Sequence, residues 1–589
     1  MLEPKRFGPA GHLAHGECGN PDSQADLRDR RQQARPPIDW RRPGGHPSGA
    51  APALGEGKGH VRLWLLLGLA AALLALSSST QVGLGWDEPE YIQAGTAYTY
   101  WFTDAPNRTS DASIRAFWTW QHTHPPFGQL LAGIMVRLFG GLRLPYLGVV
   151  GIITAARIAP ALCFGGTVAL LAAWCERELG TRLAFLAGVS LVLFPRVFGA
   201  AQFVSLDVPM MLTWLLSVVT FLWAVRSVPP TGSLRALLAP RTLLAAGAFG
   251  LALLTKLNAF FLPLLLWPWA LLRFGRRAFA PILASLLLAP LLFFVGWPWL
   301  YHDTVARGAT YLLDKMGRPV LPVYYLGRAY VDQYAPWHYP LVMLAVTVPA
   351  GLLAASVLGL SLAVRSRPRR APTELALVNL AGILTVAMLP WAPKYDGVRL
   401  FLPAFPFLAV LTGVGVEATF RWAARARWRR AGSVAVGAIL LMQGAGLLWA
   451  WPFHLTYYNM VIGGLRGAEK LGFETIYWGE AFDPEAWAAL EQLTVEEAKP
   501  GGKVEVAFVG VAKEVPEFLQ RCGYLSDSFL PVGPQATGAE YLVVGRREGS
   551  LAREGWLTAL EPRVVARALF VRQKHGVPLC WIVRTCDVD

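Results

Sequence analysis

From residue 61 to residue 451 the chain alternates long apolar runs with short polar connections. A helix needs about 20 mostly apolar residues to cross a bilayer, and on that measure the runs make about eleven spans. They cover residues 62–80, 148–174, 181–199, 207–226, 241–255, 258–272, 278–300, 338–363, 374–391, 399–420 and 431–451. The segment 126–142 is also apolar, but it reads equally well as a span or as an amphipathic helix lying in the interface. After residue 451 the pattern changes. Short strand-like runs (KVEVAFVG, AEYLVVGRR, LCWIVRT) alternate with helix-like DPEAWAALEQLTVEEA and VPEFLQRCG, which predicts a small α/β domain over 452–589.

Charge decides how the spans thread. The connections CERELGTR, RSVPPTGSLRALLAPR, RFGRR, RSRPRR and RWAARARWRR carry much of the Arg. Basic loops stay in the cytoplasm. With the N-terminus inside and 126–142 lying flat, all five fall inside; if 126–142 spanned, all five would be outside. The residues 81–147 then form one long external loop. Segments 200–209, 297–339 and 391–399 are external too, as is the C-terminal domain.

Composition agrees with a polytopic membrane protein. The 589 residues are 54% hydrophobic and 16% charged, against about 25% charged for a soluble chain. The net charge of +15 is accounted for by the cytoplasmic loops, so nucleic acid is not expected as a partner. Residues 1–60, rich in Gly, Pro and Arg, read as a disordered cytoplasmic tail. The run that follows lacks a cleavage pattern and reads as a retained first helix. Of six cysteines, Cys522, Cys580 and Cys586 lie in the C-terminal domain and leave room for one disulfide. No spacing among the six fits a metal site.

The stretch GWDEPEYIQAG (85–95) places Asp87 and Glu88 at the external end of the first span. Asp before Glu-Pro-Glu is a good helix start, and capping alone explains the pair as well as catalysis does. Asp207, in VSLDVP, emerges on the same face and is also a natural cap. His122 and His124 in QHTHPPFGQ, Lys256 and Asn258 in LLTKLNAFF, and Lys394, Tyr395, Asp396 and Arg399 in PKYDGVRLF join them there. Ionisable residues near membrane depth mark function more often as a group than singly. A carboxylate held partly out of water serves as a general base. Cations at the same depth hold a phosphate. Together they fit group transfer from a lipid phosphate.

At these residues the sequence resembles the GT-C membrane glycosyltransferases. The nearest branch is family 39, the protein O-mannosyltransferases and the bacterial lipid A aminoarabinose transferases. WDEPEYIQAG, HPPFGQLLAGI, FVSLDVPM, TKLNAFFLPL, PWHYPLVMLAVTVP, PKYDGVRLFLPAFPF and YYNMVIGGLRGAEKLGFETIYWGEA carry the resemblance, over about residues 61–485. It implies an α-helical polytopic GT-C fold and an inverting hexosyl- or pentosyltransferase. The donor would be a polyprenyl-phosphate sugar, and the acceptor a lipid, glycan or protein on the extracytoplasmic face of a bacterial inner membrane. Asp87 would be the base, with Glu88 and Asp207 as further catalytic acids. His122, His124, Lys256, Tyr395 and Arg399 would bind substrate, Lys256 and Arg399 at the phosphate. The nearer branch needs no metal or other cofactor, although oligosaccharyltransferases of the wider class use a divalent ion. The β-trefoil repeats of the eukaryotic mannosyltransferases are missing. A secondary transporter and a non-catalytic envelope-assembly protein are the competing readings; acids clustered at the external ends, without paired repeats, favour the enzyme over a transporter.

Overall fold

The computed structural model describes residues 58–588, except 145–147, 318–319, 367–369, 426–428, 499–501 and 537. The tail expected over residues 1–60 lies outside the described residues as far as residue 57. Helices occupy every expected apolar run. They are α1 (Lys58–Ser79), α2 (Glu88–Asp104), α3 (Phe127–Phe139), α4 (Ile152–Leu179), α5 (Thr181–Val192), α6 (Asp207–Ser227) and α7 (Pro240–Leu253), followed by α8 (Leu262–Phe274), α9 (Phe279–Val295), α10 (Ala350–Arg365), α11 (Ala371–Met388), α12 (Phe405–Arg425) and α13 (Arg429–Ala450).

Among the described residues, six helical stretches are long and apolar enough to cross a membrane. They are His60–Ser79, Ile152–Leu179, Asp207–Ser227, Leu257–Val295, Ala371–Met388 and Arg399–Ala424. The helices α3, α5, α7 and α10 and the stretch Gly437–Ala450 are apolar but shorter. Among the described residues, two expected spans divide into separate α-helices at a break directly before a proline. Run 181–199 divides at Phe194, where Pro195 opens the helix Pro195–Ala200. Run 338–363 divides at Val348, between Tyr339–Thr347 and α10. Phe194 and Val348 both have extended backbone, the conformation that a following proline ring imposes.

Burial separates centre from periphery. The stretches beginning at Asp207 and Arg399 are 83% and 89% buried, whereas His60–Ser79 and Leu257–Val295 are each 33% buried. The helices that start at the candidate site residues are therefore the core of the bundle, and the apolar outer helices are left to face lipid. The basic connections gather at one end of the bundle. Arg226 and Arg370 both bond Glu178, Arg182 pairs with Glu417 at 2.8 Å, and Arg273 pairs with Glu374 at 3.3 Å.

The segment expected to lie flat, α3, packs side by side with α2. A Cβ on Gly95 would collide with the backbone of Gln129, and one on Gly133 with that of Gly95. Only glycine permits this approach, and it ties both helices to the loop that carries Asp87.

The C-terminal domain is the expected α/β unit. Strands β1 (Val504–Val509), β2 (Phe529–Val532), β3 (Tyr541–Gly545), β4 (Phe570–Lys574) and β5 (Val577–Arg584) form one sheet in the order β2-β1-β3-β5-β4. β1 pairs in parallel with β2 and β3, while β5 is antiparallel to β3 and β4. The room that the sequence left for one disulfide is not used. Cys522, Cys580 and Cys586 are free, and Cys580 is buried in the sheet while Cys586 is exposed.

Candidate active site

Asp87 occupies the N-cap position of α2, but its side chain makes no capping bond. Pro89 sets the helix start without it, and the carboxylate reaches across the fold to Arg399. Asp207 behaves the same way: it is the first residue of α6, behind the N-cap Leu206, and caps nothing. The position at a helix start is shared by both acids; the capping bond is made by neither.

Arg399 is the centre of the arrangement. Its Nε donates to Asp207 at 2.9 Å, its Nη1 to Asp396 at 2.9 Å and its Nη2 to Asp87. Its guanidinium lies 4.7 Å from the centroid of the Trp478 ring. Lys256 Nζ donates to the other oxygen of Asp207 at 2.5 Å. Three carboxylates thus meet one guanidinium, and they differ in access. The side chains of Asp207 and Asp396 are 3% and 2% exposed, while that of Asp87 is 42% exposed. Asp207 and Asp396 are fixed structural partners of the cation. Asp87 is its open partner.

The turn that brings Arg399 here is unusual. Asp396 and Gly397 both adopt left-handed backbone, with φ of 53° and 65°. Glycine takes this freely and Asp tolerates it. The DG pair therefore reverses the chain before Arg399, and the Asp396 side chain folds back onto the guanidinium.

A cavity of about 740 Å³ opens beside this group. Asp87, Glu90, Tyr91, His124, Lys256, Tyr395 and Arg399 line it, together with apolar Trp214, Leu265, Ile383 and Val386 from α6, α8 and α11. Its lining thus combines charged and hydrocarbon side chains. Burial, and then the charge of Asp87, push the Tyr91 hydroxyl well above its ordinary value, so it stays a neutral donor. The Tyr91 ring meets the His124 ring edge-on at 6.3 Å.

Five of the expected site residues line the cavity: Asp87, His124, Lys256, Tyr395 and Arg399. Asp207 is buried behind Lys256 and Arg399. Two others lie elsewhere. Glu88, expected among the catalytic acids, is 1% exposed and bound by Arg157 through Nε at 2.9 Å and Nη2 at 2.6 Å. It also accepts the backbone N–H groups of Gly85 and Val204, both at 2.7 Å. Adjacent helical residues point about 100° apart, so with Asp87 at the cavity Glu88 faces the core. Its bonds tie the loop to α4 and to the segment before α6. His122, expected to bind substrate, instead stacks on Trp299 with ring centroids 5.1 Å apart and does not line the cavity. Lys394 is buried as well, donating to the carbonyls of Leu389 and Ala392.

Sequence reasoning missed Trp478 and Arg547, both from beyond the bundle. Trp478 Nε1 donates to Asp396 at 3.0 Å and Arg547 Nη2 to its other oxygen at 2.8 Å. The sequence signals were the segment ETIYWGEA, which holds Trp478, and a pair of arginines directly after the apolar run YLVVG. Among the described residues, no group of three or more His, Cys, Asp and Glu side chains is arranged to hold a metal ion.

With this geometry in view, known proteins fall into place around the chain. The sequence matches no protein-family profile and no curated protein. Its structure is similar to that of ArnT from Cupriavidus metallidurans, solved with undecaprenyl phosphate bound. The TM-score is 0.51 at 16% sequence identity, over 89% of this chain and 98% of that one. An oligosaccharyltransferase from Archaeoglobus fulgidus matches at a TM-score of 0.46 and 12% identity, over 83% of this chain and 70% of that one. The likeness to ArnT spans both the helical bundle and the C-terminal domain. The chain has the GT-C fold that its sequence led us to expect.

Proposed function

We propose that this protein is an inverting glycosyltransferase of the extracytoplasmic membrane face. It moves a hexosyl or pentosyl group from a polyprenyl-phosphate donor to a lipid, glycan or protein acceptor. The observation that carries the reading is a cavity whose lining combines Lys256, Arg399 and Asp87 with the apolar side chains of Leu265, Ile383 and Val386. A lipid phosphate has the same two-part chemistry. ArnT, which shares the fold, binds such a lipid.

The reaction follows from the placement. The polyprenyl chain lies along Trp214, Leu265, Ile383 and Val386. Its phosphate meets Lys256 and the edge of Arg399 that Asp87 holds in this structure. That exchange frees Asp87. Its carboxylate takes the proton from an acceptor hydroxyl or amine as that atom attacks the anomeric carbon. The bond from this carbon to the phosphate oxygen breaks, its electron pair stays on the phosphate, and the two cations stabilise the charge. Attack from the side opposite the leaving phosphate inverts the configuration. Asp207 and Asp396 hold Arg399 throughout.

The sidedness rests on charge. The end of the bundle opposite the cavity carries the basic connections, and the positive-inside rule supports a cytoplasmic position for it and for the N-terminus. The C-terminal domain is then extracytoplasmic, and in a bacterium the membrane is the inner one. Saturable binding of undecaprenyl phosphate to the purified protein in nanodiscs tests the site. Arg399→Ala is expected to weaken it at least tenfold; unchanged affinity removes Arg399 from the phosphate.

A further inference from the structure

Arg547 lies in the C-terminal domain, two residues after β3. It is 3% exposed and does not line the cavity. Nothing in the proposed reaction requires a residue there, yet its guanidinium touches both halves of the site. On one side Nη2 donates to Asp396 Oδ1 at 2.8 Å. Asp396 in turn accepts from Arg399 Nη1 at 2.9 Å. On the other side the guanidinium lies 4.6 Å from the centroid of the Trp86 ring, and Trp86 immediately precedes Asp87. The domain thus holds the residue before the candidate base and the partner of the candidate phosphate ligand with one side chain. Trp478, from the same part of the chain, adds a second bond to Asp396 and a ring beneath Arg399.

The turn needs such a hold. Asp396 sits in the left-handed region, which costs free energy for a residue other than glycine and persists where surrounding contacts over-determine it. Arg547, Trp478 and the Tyr339 hydroxyl, which accepts the Gly397 N–H at 3.0 Å, supply those contacts.

We propose that Arg547 is a positioning residue of the active site, fixing the Asp396–Arg399 pair and the Trp86–Asp87 backbone at the separation that a lipid phosphate requires. The inference rests on the glycosyltransferase reading and gives the C-terminal domain a part in it. The sheet carries Arg547 into the site, so the site is incomplete without the domain.

Arg547→Lys keeps the charge but lacks the planar fork that bonds Asp396 while lying on an indole. Arg547→Met removes the charge. Each is made in the full-length protein, alone and combined with Arg399→Ala, and undecaprenyl phosphate binding is measured in nanodiscs with melting temperature as the control for folding. Arg584→Met, which removes an exposed cation of the same sheet, serves as the comparison. The expected result is wild-type binding by Arg584→Met and at least a tenfold loss for Arg547→Lys. In the Arg399→Ala background Arg547→Lys is expected to cause no further loss, because Arg547 acts through Arg399. A general loss of structure would instead add to the loss in that background. Unchanged affinity in Arg547→Lys, or losses that multiply in the double variant, overturns the positioning role; should Arg547→Met fail to fold, the Lys variant decides alone. A wild-type protein that binds no undecaprenyl phosphate overturns the functional reading and this inference together.

Discussion

Asp87 and Glu88 show how two neighbouring carboxylates come to unlike roles. Asp87 is part-exposed at a cavity and shares a cation with two buried acids; Glu88 is sealed in the core between Arg157 and two backbone N–H groups. Substitution separates them. Glu88→Ala leaves Arg157 charged and buried, which costs about 3–5 kcal/mol. It should show as a lost or strongly lowered melting transition in detergent. Asp87→Asn leaves Arg399 with Asp207 and Asp396, so the protein should fold normally. The variant also removes the anion that competes with phosphate for Arg399. Undecaprenyl phosphate is therefore expected to bind Asp87→Asn more tightly than wild type in the nanodisc assay. Weaker binding would mean that Asp87 and the phosphate do not exchange places. In the sequence, the different aims of the two acids were legible from helix geometry alone. The burial of Glu88 was not, because its partner Arg157 lies in an apolar span 69 residues away.

At the scale of elements, the apolar runs locate the helices well, but they do not show where a helix is interrupted. Inside a membrane a helix is apolar on all sides, so hydropathy has no period that would fail at a break. Prolines supply the missing signal, at Phe194–Pro195 and Val348–Pro349. The interface between α2 and α3 was hidden for a different reason. Gly95 and Gly133 look like unremarkable small residues until the two backbones are seen in contact. Gly133→Val should force α2 and α3 apart and displace the loop bearing Asp87. The expected outcome is a melting temperature lower by several degrees with reduced undecaprenyl phosphate binding, whereas Gly437→Val, at a position with open space around it, should change neither.

Across the whole molecule, the bundle and the C-terminal domain meet in a buried ionic cluster. Arg547 bonds Asp396 and stands 4.0 Å from Glu474, while Glu548 forms an ion pair with Arg546 at 3.1 Å and accepts from Thr475. Burial pushes Glu474 up to about 8 and Glu548 up to about 7; Arg547 offsets this in part at Glu474 and Arg546 at Glu548, while the charges of Glu548 and Asp396 raise Glu474 further. A carboxyl whose value is raised on folding binds its proton more tightly folded than unfolded. Its stabilising contribution is complete below the unfolded value of 4.5 and is lost as pH rises through the folded value. The melting temperature should therefore fall between about pH 5 and pH 8, and Glu474→Gln should flatten that fall. A profile as steep in the variant as in wild type would remove Glu474 as the cause. The domain itself was visible in the sequence as alternating strand and helix patterns. Its contribution to the site was not, because Arg547 reaches Asp396 across 151 residues of chain.

The central claim is that this fold moves a sugar from a lipid phosphate with Asp87 as base. Mass spectrometry of envelope lipids, glycans and proteins tests it most directly, comparing cells that hold wild-type protein with cells that hold Asp87→Asn at equal membrane abundance. The account predicts one acceptor carrying the mass of a hexosyl or pentosyl residue with the wild type and lacking it with the variant. The same modification at the same level in both would contradict it.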